Sequence, residues 1–324
     1  MIIFKWRDSR HSDHFRDEEK LSLFRQTLLF LSQRKELEEF FKHNPLAQQA
    51  RSRFVAGDTR AEALEVTRKL NAEGFSVTLD YLGEEVIDPD QAREASEEYA
   101  GAVEEAAAAG LNTGISVKLS HLGVRIDEQL AFSNLMNVVE RAARVDRFVR
   151  VDMEGSDLTD VTLKLVSRVR QSTPNIGTVI QSYLRRSDAD IASLNREKIP
   201  VRLVKGAYLE PEEIAFQNEE EVVLYYMRLT EALIHSGTRP AFATHDTKLI
   251  EFVIDLADIF GLKKTDFEFQ MLYGISNELQ KNLIADGYRV RVYLPYGDDW
   301  YGYFMRRLAE RPANLWFLLR HWKK

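Results

Sequence analysis

Eight polar residues close stretches that are otherwise apolar at alternate positions: Asp80, Lys118, Asp152, Gln181, Lys205, His245, Gln270 and Tyr293. Two carboxylates, two amines, an imidazole, two amides and a phenol can together seat a polar ligand, fix an anion and move a proton. Each has a plainer reading. Asp152 or Lys118 suits a structural ion pair, Tyr293 a core aromatic, and Arg289 and Arg291 structural charges in a lumen. His245, within Ala243-Thr244-His245-Asp246, fits a base or a ligand contact, but a lone histidine is more simply a satisfied cap. The recurrence of such residues at corresponding positions points the set as a whole toward function.

A denser signal lies further on, where Tyr293-Leu294-Pro295-Tyr296-Gly297 is followed by Arg306, Arg307 and Glu310. Glu310 stands four residues after Arg306 and three after Arg307, so the three share one flank of a helix. Two guanidiniums and one carboxylate leave a positive charge suited to gripping a carboxylate in two-pronged fashion. On spacing alone a solvated helix face is the better explanation. The glycine fingerprints of dinucleotide and mononucleotide folds are absent, so a nucleotide cofactor would need another cradle. His11 and His14 form the only close histidine pair, and no metal site is expected there.

The elements that must position these groups follow from periodicity. Val77, Leu79 and Tyr81 oppose Ser76, Thr78 and Asp80; Ile115, Val117 and Leu119 oppose Ser116, Lys118 and Ser120. Phe267, Phe269 and Met271 oppose Glu268 and Gln270, and Val290, Val292 and Leu294 oppose Arg289, Arg291 and Tyr293. Strands are expected near 75–81, 115–120, 147–153, 178–183, 200–206, 240–245, 267–272 and 288–294. Helical patterns fill 89–109, 127–143, 157–171, 187–196, 219–235, 246–260 and 275–286, with another from about Asp298 to Glu310. Strands alternating with helices imply a parallel sheet. Parallel strands are normally apolar on both faces, so a polar face must look into something other than water. A closed α/β barrel of the (βα)8 kind, its polar lumen holding a polar cofactor, satisfies this, with the active site at the carboxyl ends of the strands.

Thr59 and Glu62 form a capping box before a helix over Ala61 to Ala72. Residues 1–57 read as charged N-terminal helices packed on the barrel, carrying Leu23, Phe24, Leu28, Leu29 and Phe30; 58–324 read as the barrel with a C-terminal helix. At 324 residues with 44% hydrophobic content, one large α/β barrel is well supplied with core. The net charge of −7 argues against a nucleic-acid partner. The absence of cysteine excludes disulfides, thiolate catalysis and Cys-ligated clusters. Leu21 to Leu31, the most apolar early run, is broken by Arg25 and Gln26, and no stretch reaches the length of a membrane span, so a cytoplasmic location is expected.

Several motifs are jointly specific. Arg202-Leu203-Val204-Lys205-Gly206-Ala207-Tyr208, Ala243-Thr244-His245, Phe267-Glu268-Phe269-Gln270 and Arg306-Arg307 with Glu310 resemble the proline dehydrogenases, most closely the short monofunctional bacterial type. These are related to the proline dehydrogenase domain of proline utilization A. The resemblance runs from about Phe54 to Asn314. It implies a distorted (βα)8 barrel that binds FAD and oxidises L-proline to Δ1-pyrroline-5-carboxylate by hydride transfer to the flavin, with electrons passed to a membrane quinone. By motif it assigns the proline carboxylate to Arg306 and Arg307 helped by Lys118, with Glu310 orienting Arg307. Tyr293 and Leu272 would pack on the proline ring, and Glu84 would pair with Arg306 as a gate. FAD would be held by Asp152, Met153, Val179, Gln181, Arg202, Val204, Lys205, Gly206, Ala207, Thr244 and His245, with Gln270 beside them.

One departure stands out. After Ala215-Phe216 the family tends to carry a lysine for the adenylate end of the cofactor, whereas this chain has Gln217-Asn218-Glu219-Glu220-Glu221. The tail from Leu315 to Lys324 mixes Trp316, Phe317, Leu318 and Trp322 with Arg320, Lys323 and Lys324, a composition suited to peripheral contact with the inner face of the cell membrane. Two rival functions share the fold expectation. One is a Schiff-base aldolase using Lys118 or Lys205. The other is a non-catalytic interaction module docked through the N-terminal helices.

Overall fold

The computed structural model describes residues 44, 48 and 51–310, the last three by their backbone alone. Two compact units emerge, Phe54–Asp298 and, separately, Met1–Arg53 with Asp299–Lys324. The expected N-terminal helices and the aromatic and basic tail lie outside the described residues, as do His11 and His14.

The larger unit opens with α1 (Arg60–Ala72), whose start is fixed by the expected capping box: Thr59 accepts from the Glu62 N–H and Glu62 answers the Thr59 N–H. Then follow β1 (Ser76–Tyr81), α2 (Pro89–Ala108), β2 (Thr113–Val117), α3 (Glu128–Arg144), β3 (Val149–Val151) and α4 (Ser156–Arg170). The second half continues with β4 (Ile176–Gln181), α5 (Ser187–Arg196), β5 (Val201–Val204), α6 (Glu219–Ser236), β6 (Ala241–Ala243) and α7 (Thr247–Ile259). It ends with β7 (Glu268–Leu272), α8 (Asn277–Ala285) and β8 (Val290–Tyr296). All eight strands pair in parallel with their sequence neighbours, and β1 closes on β8 through Ser76↔Arg291 to Tyr81↔Tyr296. This is the expected (βα)8 barrel.

The apolar alternate residues face outward. Leu79, Ile115, Val151, Leu203, Phe269 and Val292 pack beneath the helix ring against Tyr99, Leu135, Val166 and Leu229, forming one continuous core. Helix starts are set by local chemistry: Asp88 accepts from Asp90 N ahead of Pro89, Asp127 from Leu130 N, and Asn218 from Glu220 N. The opposite face of each strand carries the polar residues into the lumen.

Several strands are shorter than expected. β3 covers 149–151 and β6 covers 241–243, so Asp152, Met153, Thr244 and His245 sit on loops just past the last ladder pair. Side-chain alternation continues beyond the point where the neighbouring backbone ends, so it overstates strand length. β8 errs the other way and runs through Pro295, which pairs with Asp80 and offers its carbonyl to Ala56 N at 2.8 Å. Arg289, expected in the lumen, is instead exposed at the amino-end rim, donating to Thr265 O at 3.2 Å.

The second unit contains α9 (Tyr301–Glu310). It carries partly buried Arg306 and Arg307, with the Arg307 guanidinium 5.1 Å from the Tyr303 ring centre. In the same unit Arg51 lies over Trp300 at 5.2 Å. Among the described residues no helix is long and apolar enough to cross a membrane.

Candidate active site

The carboxyl end of the lumen is organised by one ammonium and one guanidinium. Lys118, the first residue after β2, places Nζ 2.7 Å from Asp80 and 3.9 Å from Asp152. Asp80 is 1% exposed and Lys118 7%. Burial alone would push the Lys118 amine down, but Asp80, with Tyr293 and Asp152, outweighs it and holds the ammonium firmly protonated. Asp152 in turn accepts from Arg202 Nη1 at 2.8 Å and from the Tyr293 hydroxyl at 2.7 Å.

Arg202, on β5, is held on three sides. Nη1 goes to Asp152, Nη2 to Ser116 Oγ at 3.0 Å and Nε to Gln270 Oε1, while the guanidinium lies 5.2 Å from the Tyr293 ring centre. Three of its five N–H donors are thereby committed and its orientation is fixed. Gln270 Nε2 passes the chain to Glu268, which Arg291 grips through Nε at 2.9 Å and Nη2 at 3.2 Å. Burial would push the Glu268 carboxyl up, but Arg291 and Arg150 bring it down to about 2. A continuous polar network therefore runs from the mouth of the barrel to its floor.

The loops above it carry the remaining groups. His245 Nε2 accepts from Leu272 N at 3.2 Å, which ties the end of β6 to the end of β7 and assigns the hydrogen of the neutral ring to Nδ1. Thr244 Oγ1 accepts from Asp246 N at 3.0 Å. Lys205 pairs with Asp246 at 3.1 Å and lies 3.5 Å from Glu219. Gly206, at φ +120°, lets the Lys205–Ala207 turn lie against Tyr183; a Cβ there would sit 2.2 Å from the Tyr183 ring. In the segment after Phe216, Gln217 donates to Glu210 O and Ala215 O.

Sequence reasoning passed over one further carboxylate. Glu154 is buried and accepts from both the backbone N–H and the hydroxyl of Ser120. Burial raises its carboxyl to about 7, helped by the nearby charge of Glu84. The signal was present: Ser120 and Glu154 continue the same alternate faces as Lys118 and Asp152. His121 was also unmarked. It accepts or donates at Nδ1 with the Tyr99 hydroxyl (3.0 Å), stacks on Tyr81 at 5.3 Å, and is pushed down to about 4 by burial and then by Lys118.

What such a mouth can do is hold an electron-rich or anionic group against fixed positive charge with little room for rearrangement. The model of the proline dehydrogenase family matches residues 63–320. This chain belongs to the proline dehydrogenase family. Proline dehydrogenase 1 of Bacillus subtilis (strain 168) is 41% identical over 298 residues, covering 92% of this chain and 98% of its own length. Proline dehydrogenase of Deinococcus radiodurans is 39% identical over 305 residues, covering 92% of this chain and 97% of that one. Among solved structures, proline utilization A from Bdellovibrio bacteriovorus inactivated by N-propargylglycine superposes with a TM-score of 0.76 at 27% identity over 82% of this chain. This chain spans only 33% of that longer protein. Membership makes the chain an oxidoreductase built on the barrel described above.

Of the residues marked in the sequence, Lys118, Asp152, Arg202, Gln270 and Tyr293 converge in one network of the barrel proline dehydrogenases share. Met153, Val179 and Gln181 are buried close by in sequence, with Gln181 Nε2 donating to Glu154 O at 3.0 Å. Val204 and Ala207 flank Lys205 and Gly206 at the end of β5, and Glu84 lies in the loop after β1. Arg306 and Arg307 belong to the other unit, and the Glu310 side chain lies outside the described residues.

Proposed function

We propose that the chain oxidises L-proline to Δ1-pyrroline-5-carboxylate with FAD as hydride acceptor and a membrane quinone as final electron acceptor. The observation that carries this reading is the rigidly oriented, buried Arg202, locked by Asp152, Ser116 and Gln270 at the carboxyl mouth. The residues fit a flavin. Arg202 supplies fixed positive charge, Gly206 leaves the turn after β5 open where a Cβ would meet Tyr183, and Thr244 and His245 border the same mouth. FAD, when bound, supplies the two-electron acceptor.

The chain's own groups bind and orient the substrate. Lys118, kept charged by Asp80, offers an ammonium to the proline carboxylate, and Arg306 and Arg307 are assigned the rest of that grip on their motif. Tyr293, held by Asp152, and Leu272 are assigned the ring of proline. Lys118 stays protonated and is not a base for the substrate amine; no other side chain is clearly dedicated to that role, and water is the acceptor we assign. The protonated state of Lys118 also weighs against it as the nucleophile of the aldolase reading, since a Schiff-base lysine needs a depressed pKa.

The visible spectrum decides. The purified protein is expected to show a flavin band that bleaches on anaerobic addition of L-proline, with D-proline a much poorer reductant. A colourless protein, or a flavin band unmoved by saturating L-proline, overturns the proposal.

A further inference from the structure

The amino end of the barrel carries a second polar cavity, at the far end of the lumen from the mouth. Arg150, on β3, reaches into it and is 5% exposed. Its Nη1 donates to two backbone carbonyls, Thr178 at 3.0 Å and Pro200 at 2.8 Å. Among the described residues it forms no ion pair, and its Nε and Nη2 make no hydrogen bond. Burial and the charge of Arg202 bring its pKa to about 9, so it remains a cation at neutral pH. A buried cation without an ion-pair partner is costly, and chains normally pair such a group or give it a ligand.

The surroundings supply only part of the balancing charge: Glu268 and Asp152 act on Arg150 electrostatically, but neither makes an ion pair with it. Glu268 is already taken by Arg291, with Arg289 a further 3.8 Å away. Arg150 and Arg239 both lie over the Phe148 ring, at 4.8 and 5.3 Å. Arg239 is exposed at the rim and makes no ion pair among the described residues. Four guanidiniums (Arg150, Arg239, Arg289 and Arg291) thus line the cavity against two carboxylates, Glu268 and Asp266. The space beside Arg150 is kept by Gly177, where a Cβ would stand 2.9 Å from Nη1 and 2.4 Å from Pro200 O.

We propose that this amino-end pocket binds a compact inorganic anion, which serves as the counter-ion of Arg150 and is held from the rim by Arg239. Chloride and inorganic phosphate share the required chemistry, a small negative acceptor for guanidinium donors.

The test is thermal unfolding of the full-length protein at constant ionic strength, with gluconate replaced stepwise by chloride or by phosphate. A ligand that binds only the folded chain should raise the midpoint saturably, by about 2 °C at tenfold its half-saturating concentration. The anion with the lower half-saturation point is the ligand. Arg150→Met should abolish the response, and Arg239→Gln should move the half-saturation point up by threefold or more. An absent or non-saturating response in the wild type overturns the site, as does an anion dependence unchanged in the variants. If Arg150→Met does not fold, Arg239→Gln alone decides. None of these readings depends on flavin reduction, so the proposal stands or falls separately from the enzymatic one.

Discussion

Tyr293 on β8 donates its hydroxyl to Asp152 across the lumen at 2.7 Å, and the same carboxylate takes Arg202 Nη1 at 2.8 Å. One side chain thereby fixes both the aromatic ring assigned to substrate and the cation assigned to the cofactor. Tyr293→Phe keeps the ring and removes the tie. A hydrogen bond to a charged group is worth about 1.5–3 kcal/mol, so kcat/KM for proline should fall roughly 10- to 150-fold. Flavin content should stay near that of the wild type. Steady-state kinetics with an artificial acceptor checks this, and unchanged efficiency would show the tie to be idle.

Lys118 and Asp80 form the most deeply buried ion pair of the mouth, at 2.7 Å. Lys118→Met leaves a carboxylate that is 1% exposed without its cation. Breaking such a pair from one side costs about 3–5 kcal/mol. Removing both charges, as in Lys118→Met with Asp80→Asn, should recover most of that loss. Urea unfolding of the four forms gives the coupling directly. Additive losses would mean that the two groups are stabilised independently.

Glu154 should leave a signature in the pH dependence of stability. Its carboxyl titrates near 7 in the folded chain against 4.5 for an ordinary glutamate. Between those values the folded state keeps a proton that the unfolded state has lost. Stability therefore falls as pH rises from about 4.5 to 7 and is level beyond, by at most about 3 kcal/mol. Glu154→Gln cannot ionise, so its unfolding midpoint should decline less than the wild type's between pH 5 and 8. Parallel curves for the two proteins would return Glu154 to an ordinary carboxylate.

The alternating polar face was readable before any coordinates because the lumen of a barrel imposes a period of two on every strand. Thr78, Ser116, Gln270 and Tyr293 were all placed inward by that argument alone, whereas Arg202 entered only through the family motif. The pairing inside the lumen was not readable. Lys118 takes Asp80 at 2.7 Å in preference to Asp152 at 3.9 Å because barrel stagger sets which strands meet at a given height. Pro295 misled in the other direction: a missing N–H suggests a strand end, yet its carbonyl still pairs and β8 continues to Tyr296. Arg150 drew no attention because a lone arginine in Val149-Arg150-Val151 looks like any other lumen charge until its neighbours are known. The roles of Arg306, Arg307 and Glu310 rest on their motif.

Gly206 gives the most local test of the cofactor reading. Its φ of +120° belongs to the region that side-chain-bearing residues avoid, and an added Cβ would fall 2.2 Å from the Tyr183 ring. Gly206→Ala must therefore either push Tyr183 aside or twist the Lys205–Ala207 turn. The barrel has no reason to unfold, because the turn follows the last ladder residue of β5, Val204. Backbone strain of this kind costs about 1–3 kcal/mol, and the change should appear mainly as flavin lost during purification, roughly 5- to 150-fold weaker retention. A second replacement, Tyr183→Ala with Gly206→Ala, removes the ring but not the φ, so it should restore only part of the flavin. Flavin-to-protein absorbance ratios and far-ultraviolet circular dichroism separate the two effects. Full flavin occupancy in Gly206→Ala would mean that the turn after β5 does not cradle the cofactor.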